Sequence, residues 1–335
     1  MEEVFEAPIA LATSLSIGHQ SVMPIIIEEG EVIILDQQVH ASVQDAAIKM
    51  KGLGVEVLVV RHNHMELLEK MISELSLRYK KVWYLFDGVY SMYGDFAPLD
   101  EIMRLAEKYP KLHLYADDAH GTGWTGKNGK GYVLHTVGMH PRLVVSASLT
   151  KAFPSGGGAF IFPTSEMCEK VKNCGSSFVF SAPHSVPVLG AAIAAAKIFL
   201  SSELELRQEE LAKRVAYCQK QLELHDLPVL SNPKSPIFFI GVGDLNVGVR
   251  MMKSMMESGF YLNLSVFPSV PENCNGLRFT ITLHHDERDI KRFVKTLAAH
   301  LPIALDEEGK TKHDIYRAFR KVTDFENKKL VPVKV

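Results

Sequence analysis

The stretch LHLYADDAHGTG (112–123), followed after a loop by RLVVSASLTKAF (142–153), decides how the chain is read. Each begins as a short apolar run of strand length and closes abruptly on groups that carry chemistry: two aspartates and a histidine in the first, a lysine in the second. Three upstream runs have the same form, EVIIL (31–35), VEVLVV (55–60) and KVWYLF (81–86). Between them lie helical patterns such as MELLEKMISEL (65–75) and LDEIMRLAEKY (99–109). Strands that are apolar throughout and alternate with helices predict an α/β fold, a mostly parallel central sheet wrapped by helices.

Outward from that core the rhythm changes. From about Val186 the pattern is helical through LGAAIAAAKIFLSSELELRQEELAKRVAYCQKQLELH (189–225), which reads as one long spine leaving the first domain. A large domain over 1–226 and a smaller C-terminal α/β domain over 227–335 are therefore predicted. In the second, SPIFFIGVG (235–243) and LRFTITL (277–283) read as strands, and VGVRMMKSMMESG (247–259) and DERDIKRFVKTLAAH (286–300) as helices. The charged tail holds one further helical pattern, HDIYRAFRKV (313–322).

With 335 residues, 47% of them hydrophobic and 23% charged, the chain can bury a large core, and its net charge of −2 exerts no pull on phosphate backbones. Nucleic acid is not an expected partner. The N-terminus is acidic where a secretory signal would be basic, and the apolar stretch 189–196 meets Lys197 far short of bilayer length. Neither export nor a membrane span is expected, and the four cysteines form no C-x-x-C pair and no metal-ligand spacing. The expectation is a cytoplasmic protein with reduced thiols and no metal.

A nucleotide motif has to be weighed first. Gly121 to Gly126 matches G-x-G-x-x-G, and Gly121 to Lys127 begins to match a phosphate-binding P-loop. The dinucleotide motif needs a helix opening within it, yet GKNGKGY (126–132) follows, and the P-loop needs Ser or Thr where Asn128 stands. Both readings fail on context.

Ligands of open α/β sheets bind beyond the carboxyl ends of the strands. There the strands end in Asp36 with His40 beyond, Asp87 with Ser91 beyond, Asp117, Asp118 and His120, and Lys151. A strand-end lysine between SASLT and AFPSGGG, desolvated by apolar neighbours, would have an amine free to condense with an aldehyde. An aspartate on the adjacent strand could keep a pyridinium nitrogen protonated. Taken singly, the lysine reads equally as a solvated cap and the aspartates as helix caps.

Together these segments carry a resemblance. DDAHGTG (117–123), SLTKAF (148–153), DQQVHAS (36–42) and FDGVYSMYGDFAPL (86–99) are similar, in order and spacing, to the α-oxoamine synthase family, over nearly the whole chain. That resemblance implies the type I fold of pyridoxal-phosphate (PLP) enzymes and a PLP-dependent acyltransferase that condenses an amino acid with an acyl-CoA. It implies Lys151 as the Schiff-base lysine and general base, Asp117 at the pyridine nitrogen, His120 at the phenolic oxygen and His40 on the ring face. Ser91 and Ser148 become cofactor contacts, Ser148 at the phosphate. Ser181, in SSFVFSAP (176–183), falls on the segment the family lends to its neighbour's phosphate, which implies a homodimer with shared sites. Arg278, in LRFTITLHHDE (277–287), becomes the grip on the substrate carboxylate. His284 and His285 read as cap or surface residues.

The chain also departs from the family pattern. Members usually carry several dozen residues ahead of the point where Met1 aligns, and a Ser-Gly-aromatic turn over the cofactor stands here as Ser14-Leu15-Ser16. Asp87 occupies a position where glutamate is common, and Pro154 one where glycine is usual. Two other readings use the same lysine and aspartate: an aldolase or aminotransferase without thioester chemistry, and a diverged member with little activity.

Overall fold

The computed structural model describes residues 1–320 and the short strands Thr323–Asp324 and Lys329–Leu330. It divides into two compact units, one of Met1–Tyr90 with Phe96–Leu206, the other of Ser91–Asp95 with the chain from Arg207 onward. The change of unit falls at Arg207, upstream of the expected Leu227.

The five apolar runs form β2 (Val32–Asp36), β3 (Glu56–Val60), β4 (Val82–Asp87), β5 (Leu112–Asp117) and β6 (Leu143–Ser148). With β1 (Ile9–Ala12) and β7 (Gly158–Ile161) they make a seven-stranded sheet in the order β1-β7-β6-β5-β4-β2-β3. Every pairing among β2 to β6 is parallel, and β7 pairs antiparallel with β6 and β1. Four of the runs are buried almost throughout, as strands covered on both faces must be, while β3 at the sheet edge leaves Val59 59% exposed. Tyr84, Leu114 and Val145 point into one buried cluster, while Trp83, Tyr115 and Val144 point into the other with helix Leu15–Ile26.

Register aligns chemistry with geometry. Asp87 lies opposite Asp117, and Asp117 opposite Ser146, so these three side chains form one row across β4, β5 and β6 on the face of helix Leu15–Ile26.

The single spine expected from Val186 is two helices, Val186–Phe199 and Ser202–Leu224. The break has a local cause: the Ser201 hydroxyl accepts from the Glu203 N–H, a capping contact that begins a new helix where the apolar run gives way to Ser201-Ser202-Glu203.

The second unit contains the antiparallel sheet β8 (Ile237–Gly243), β10 (Asn275–Thr280), β9 (Asn263–Ser265), in that order, with helices Leu245–Glu257 and Glu287–Glu307. The excursion Ser91–Asp95 joins this unit through Tyr93, whose ring meets Phe239 at 4.8 Å. The expected tail helix spans Lys312–Phe319; a reciprocal Thr311–Asp314 capping box starts it, and Ile315 and Phe319 bury against β8. Residues 321 and 322 of that expectation lie outside the described residues.

Candidate active site

Within the first unit, a cavity of about 250 Å³ opens beyond the carboxyl ends of β4, β5 and β6. Lys151, Asp117, His120, His40 and Ser148 all line it, together with Asp87, Ser42, Thr150 and the start of helix Leu15–Ile26. Asp36 does not: it is buried, accepts from Gln38 and Asn63 N–H groups and pairs with His62 Nδ1 at 2.8 Å, a structural role at the strand end.

Asp117 is 3% exposed. Its Oδ1 accepts from the Ala119 N–H at 3.1 Å and the Ser146 hydroxyl at 3.0 Å, and its Oδ2 lies 3.4 Å from His19 Nε2. Burial alone would raise its pKa, but His19, then Lys151 and His40, hold the carboxyl well below the usual range. Asp87 stands beside it in the row and shifts the opposite way, pushed well above the usual range by burial and by the charge of Asp117. Two adjacent buried carboxyls cannot both ionise cheaply, so one keeps its charge and the other favours its proton.

His40 is held at two points. Its backbone N–H donates to Asp87 Oδ1 at 3.0 Å, and its ring Nδ1 accepts from the Ser42 N–H at 3.3 Å, with the Ser42 hydroxyl at 2.7 Å. An Nδ1 that accepts from an amide places the ring proton on Nε2. Burial lowers its pKa, so the neutral donor form is favoured.

Lys151 is exposed in the single chain, not desolvated as its apolar sequence neighbours suggested. Leu149 and Phe153 turn into the core, at 2% and 0% exposure, and leave the lysine on the cavity side. His120 lines the cavity half-buried, and its carbonyl accepts from Trp124 Nε1.

Three sequence candidates lie elsewhere. Arg278, on β10, donates from Nε to the Ser91 carbonyl at 2.7 Å, so Arg278 and Ser91 meet within the second unit. Ser181 is exposed, in the segment between helices Ser176–Val179 and Val186–Phe199. None of the three lines the cavity. His284 is exposed, and His285 accepts from the Thr282 N–H just ahead of the Asp286 helix cap.

Several lining residues escaped sequence reasoning. At the start of the twelve-residue helix Leu15–Ile26, first-turn amides lack intrahelical partners, and Thr13, Ser16, Ser148 and Thr150 add hydroxyls around the same space. That is a cradle for a dianion. Leu15 needs no glycine-like freedom, because it lies in ordinary helix and its side chain fills the space over Gly158. The glycines of 121–131 are structural: a Cβ on Gly121 or Gly131 would collide with the buried Asp118 carboxyl, and no helix opens there beyond a 3₁₀ turn at Lys127–Gly129. Among the described residues no His/Cys/Asp/Glu group could hold a metal.

Residues 11–297 match the family model described as aminotransferase class I and II. The chain belongs to that family. An 8-amino-7-oxononanoate synthase of Treponema denticola is 33% identical over 83% of this chain and 68% of its own length, and one of Alkaliphilus metalliredigens is 32% identical over 81% and 66%. The chain thus spans about two thirds of the length of the curated relatives it matches. In fold it is similar to a serine palmitoyltransferase from S. paucimobilis solved with bound PLP (TM-score 0.82, 22% identity, 90% of this chain and 75% of that one). It is also similar to the 8-amino-7-oxononanoate synthase of Francisella tularensis (TM-score 0.76, 19% identity, 90% and 85%). This is a PLP-dependent acyltransferase of the α-oxoamine synthase type, with the expected type I fold.

The cavity of this family member fits the cofactor on its own chemistry. A charged carboxylate with an open oxygen suits a pyridinium N–H, a lysine amine suits the aldehyde, and the helix start with its four hydroxyls suits the phosphate.

Proposed function

We propose that the chain joins an amino acid to an acyl-CoA: the α-carbon of the amino acid bonds to the thioester carbonyl carbon, the carbon–sulfur bond breaks, and CoA leaves as the free thiol. The observation that carries this reading is that the paired carboxyls Asp87 and Asp117 line one cavity with Lys151 and His40. PLP, when bound, supplies the electron sink that makes the α-carbon nucleophilic. Asp117 holds a proton on the pyridine nitrogen through its own negative charge. The Lys151 amine would anchor the cofactor through its aldehyde and would hold the α-proton of the amino acid on Nζ. His40 would pack against the cofactor and, with its proton on Nε2, would donate to the carbonyl oxygen of the incoming thioester as charge grows there. His120 contacts the phenolic oxygen, and Ser148 with the start of helix Leu15–Ile26 holds the phosphate. Ser91 adds a cofactor contact, and Arg278 grips the substrate carboxylate.

We further propose a cytoplasmic homodimer in which Ser181 reaches the partner's phosphate site. The four cysteines are all free, as in a reducing compartment. An apolar surface is uncovered around Ser181: Phe180 is 89% exposed, Val186 81% and Ile193 60%, an area a single soluble chain rarely leaves open. Among the described residues no single helix is long and apolar enough to cross a membrane.

The test mixes purified protein and PLP with glycine, alanine, serine or threonine and with short and long acyl-CoAs, reading free thiol and product mass. A condensation product with thiol release supports the proposal; amino-group transfer or aldol cleavage without thiol release overturns it. The visible absorbance of lysine-bound PLP, lost in Lys151→Ala, tests the site separately, and sedimentation of wild type against Phe180→Asp tests the dimer.

A further inference from the structure

The structure contains a buried histidine that the catalytic reading does not use. His19 is 0% exposed on the inner face of helix Leu15–Ile26, five residues past the Ser14 cap. Its Nδ1 lies 2.7 Å from the Tyr115 hydroxyl, and its Nε2 lies 3.4 Å from Asp117 Oδ2. Nε2 is buried and completes no hydrogen bond, and the carboxylate at 3.4 Å is the ion-pair contact it makes among the described residues.

The surroundings are built to keep the ring there. Phe160 meets it edge-on, 5.3 Å between centroids at 89°, and Tyr115 is fully buried two residues before Asp117 on the same face of β5. Gly18 leaves room for this arrangement, since a Cβ there would run into the Phe160 ring. A buried imidazole without a polar partner is costly, so its retention among apolar rings calls for a role.

We propose that His19 is a positioning residue for Asp117. The Tyr115 hydroxyl donates to Nδ1, which places the ring proton on Nε2, beside Asp117 Oδ2 at 3.4 Å. Oδ1 is already held by the Ala119 N–H and the Ser146 hydroxyl, so His19 is the third restraint on the carboxylate and the one on the oxygen left open to a ligand. The chain Tyr115–His19–Asp117 fixes the plane of the carboxylate and keeps it ionised, in the way an outer partner orients a group that does chemistry. The effect on the cofactor rests on the PLP reading above; the hydrogen-bonded chain itself does not.

The tests separate the two. In ligand-free protein labelled at histidine with ¹⁵N, the His19 resonance should show a proton bonded to Nε2, and Tyr115→Phe should weaken that preference. A proton confined to Nδ1 would turn the Nε2 lone pair on the carboxylate and overturn the proposal whether or not PLP binds. With PLP added, His19→Phe should weaken cofactor affinity about tenfold, the loss expected of one charge-assisted hydrogen bond. His19→Gln, which can place an amide N–H near the Nε2 position, should recover most of it at equal thermal stability. Equal PLP affinity in wild type and His19→Phe would sink the proposal and leave the function standing. A wild type that binds no PLP would sink the functional reading, with the tautomer measurement still deciding His19.

Discussion

Asp117 and Asp118 follow one another at the end of β5, both carboxyls are buried, and their surroundings drive them to opposite states. Asp117 faces the cavity, with His19, the Ser146 hydroxyl and the Ala119 amide around it and Lys151 across the space, and its pKa is depressed. Asp118 faces the glycine loop, where its Oδ2 accepts from the Val133 N–H at 2.9 Å and no cation stands near; burial pushes its pKa well up. Burial is common to both. The partners decide which carboxyl is favoured as an ion: the cavity side lowers its pKa, and the loop side raises the pKa of the carboxyl around which Gly88, Gly121 and Gly131 pack.

The widest gap should open in turnover. Asp117→Asn keeps shape and removes charge, so condensation should fall about 10³-fold, whereas Asp118→Asn should stay within about threefold of wild type, by steady-state thiol release. Comparable losses in both would break the contrast. Stability should reverse the ranking of importance: Asp118→Ala leaves the Val133 N–H unpaired and a gap among close-packed glycines, a cost of about 2–3 kcal/mol by denaturant unfolding. Gly121→Ala pushes a methyl into the same carboxyl from the other side and should cost about 1–3 kcal/mol.

The smallest effect is the sharpest in sign. The depressed pKa of Asp117 contributes stability that is present above the unfolded carboxylate pKa and is lost as pH falls through the folded value. The raised pKa of Asp118 does the opposite: the unfolded chain releases its proton first, so stability falls as pH rises from the unfolded toward the folded value. Relative to wild type, Asp118→Asn should therefore gain stability as pH rises from 4 to 7, by at most about 1.4 kcal/mol per pH unit, whereas Asp117→Asn should lose stability as pH rises toward 4 and hold level above it. Unfolding midpoints from about pH 2 to 7 measure both changes, and changes of the same sign would show that the partners assigned to the two carboxyls are wrong.

The parallel sheet was legible because strands buried on both faces must be apolar throughout, and all five apolar runs are strands. The cavity was legible where residues terminate those strands, which is how Lys151, Asp117, His120, His40 and Ser148 were found. Ser201 was not legible as a helix break, because one hydroxyl contact interrupts a helical pattern that runs on past it. Apolar neighbours of Lys151 suggested desolvation, but the chain bends beyond β6, which sends Leu149 and Phe153 inward and leaves the lysine out.

By itself the sequence determined the alternation of strand and helix, the residues that close each strand, and through the order of its motifs the family. Those are local properties, set by side-chain periodicity and by which groups follow an apolar run. Tertiary structure alone decided which strand ends are neighbours and in what register, and hence that Asp87 and Asp117 share one field while Asp36 is tied to His62. It also decided that His19, nearly a hundred positions away in the chain, lies against Asp117. Charge states depend on distances through space, and those exist only once the strand order and helix packing are set.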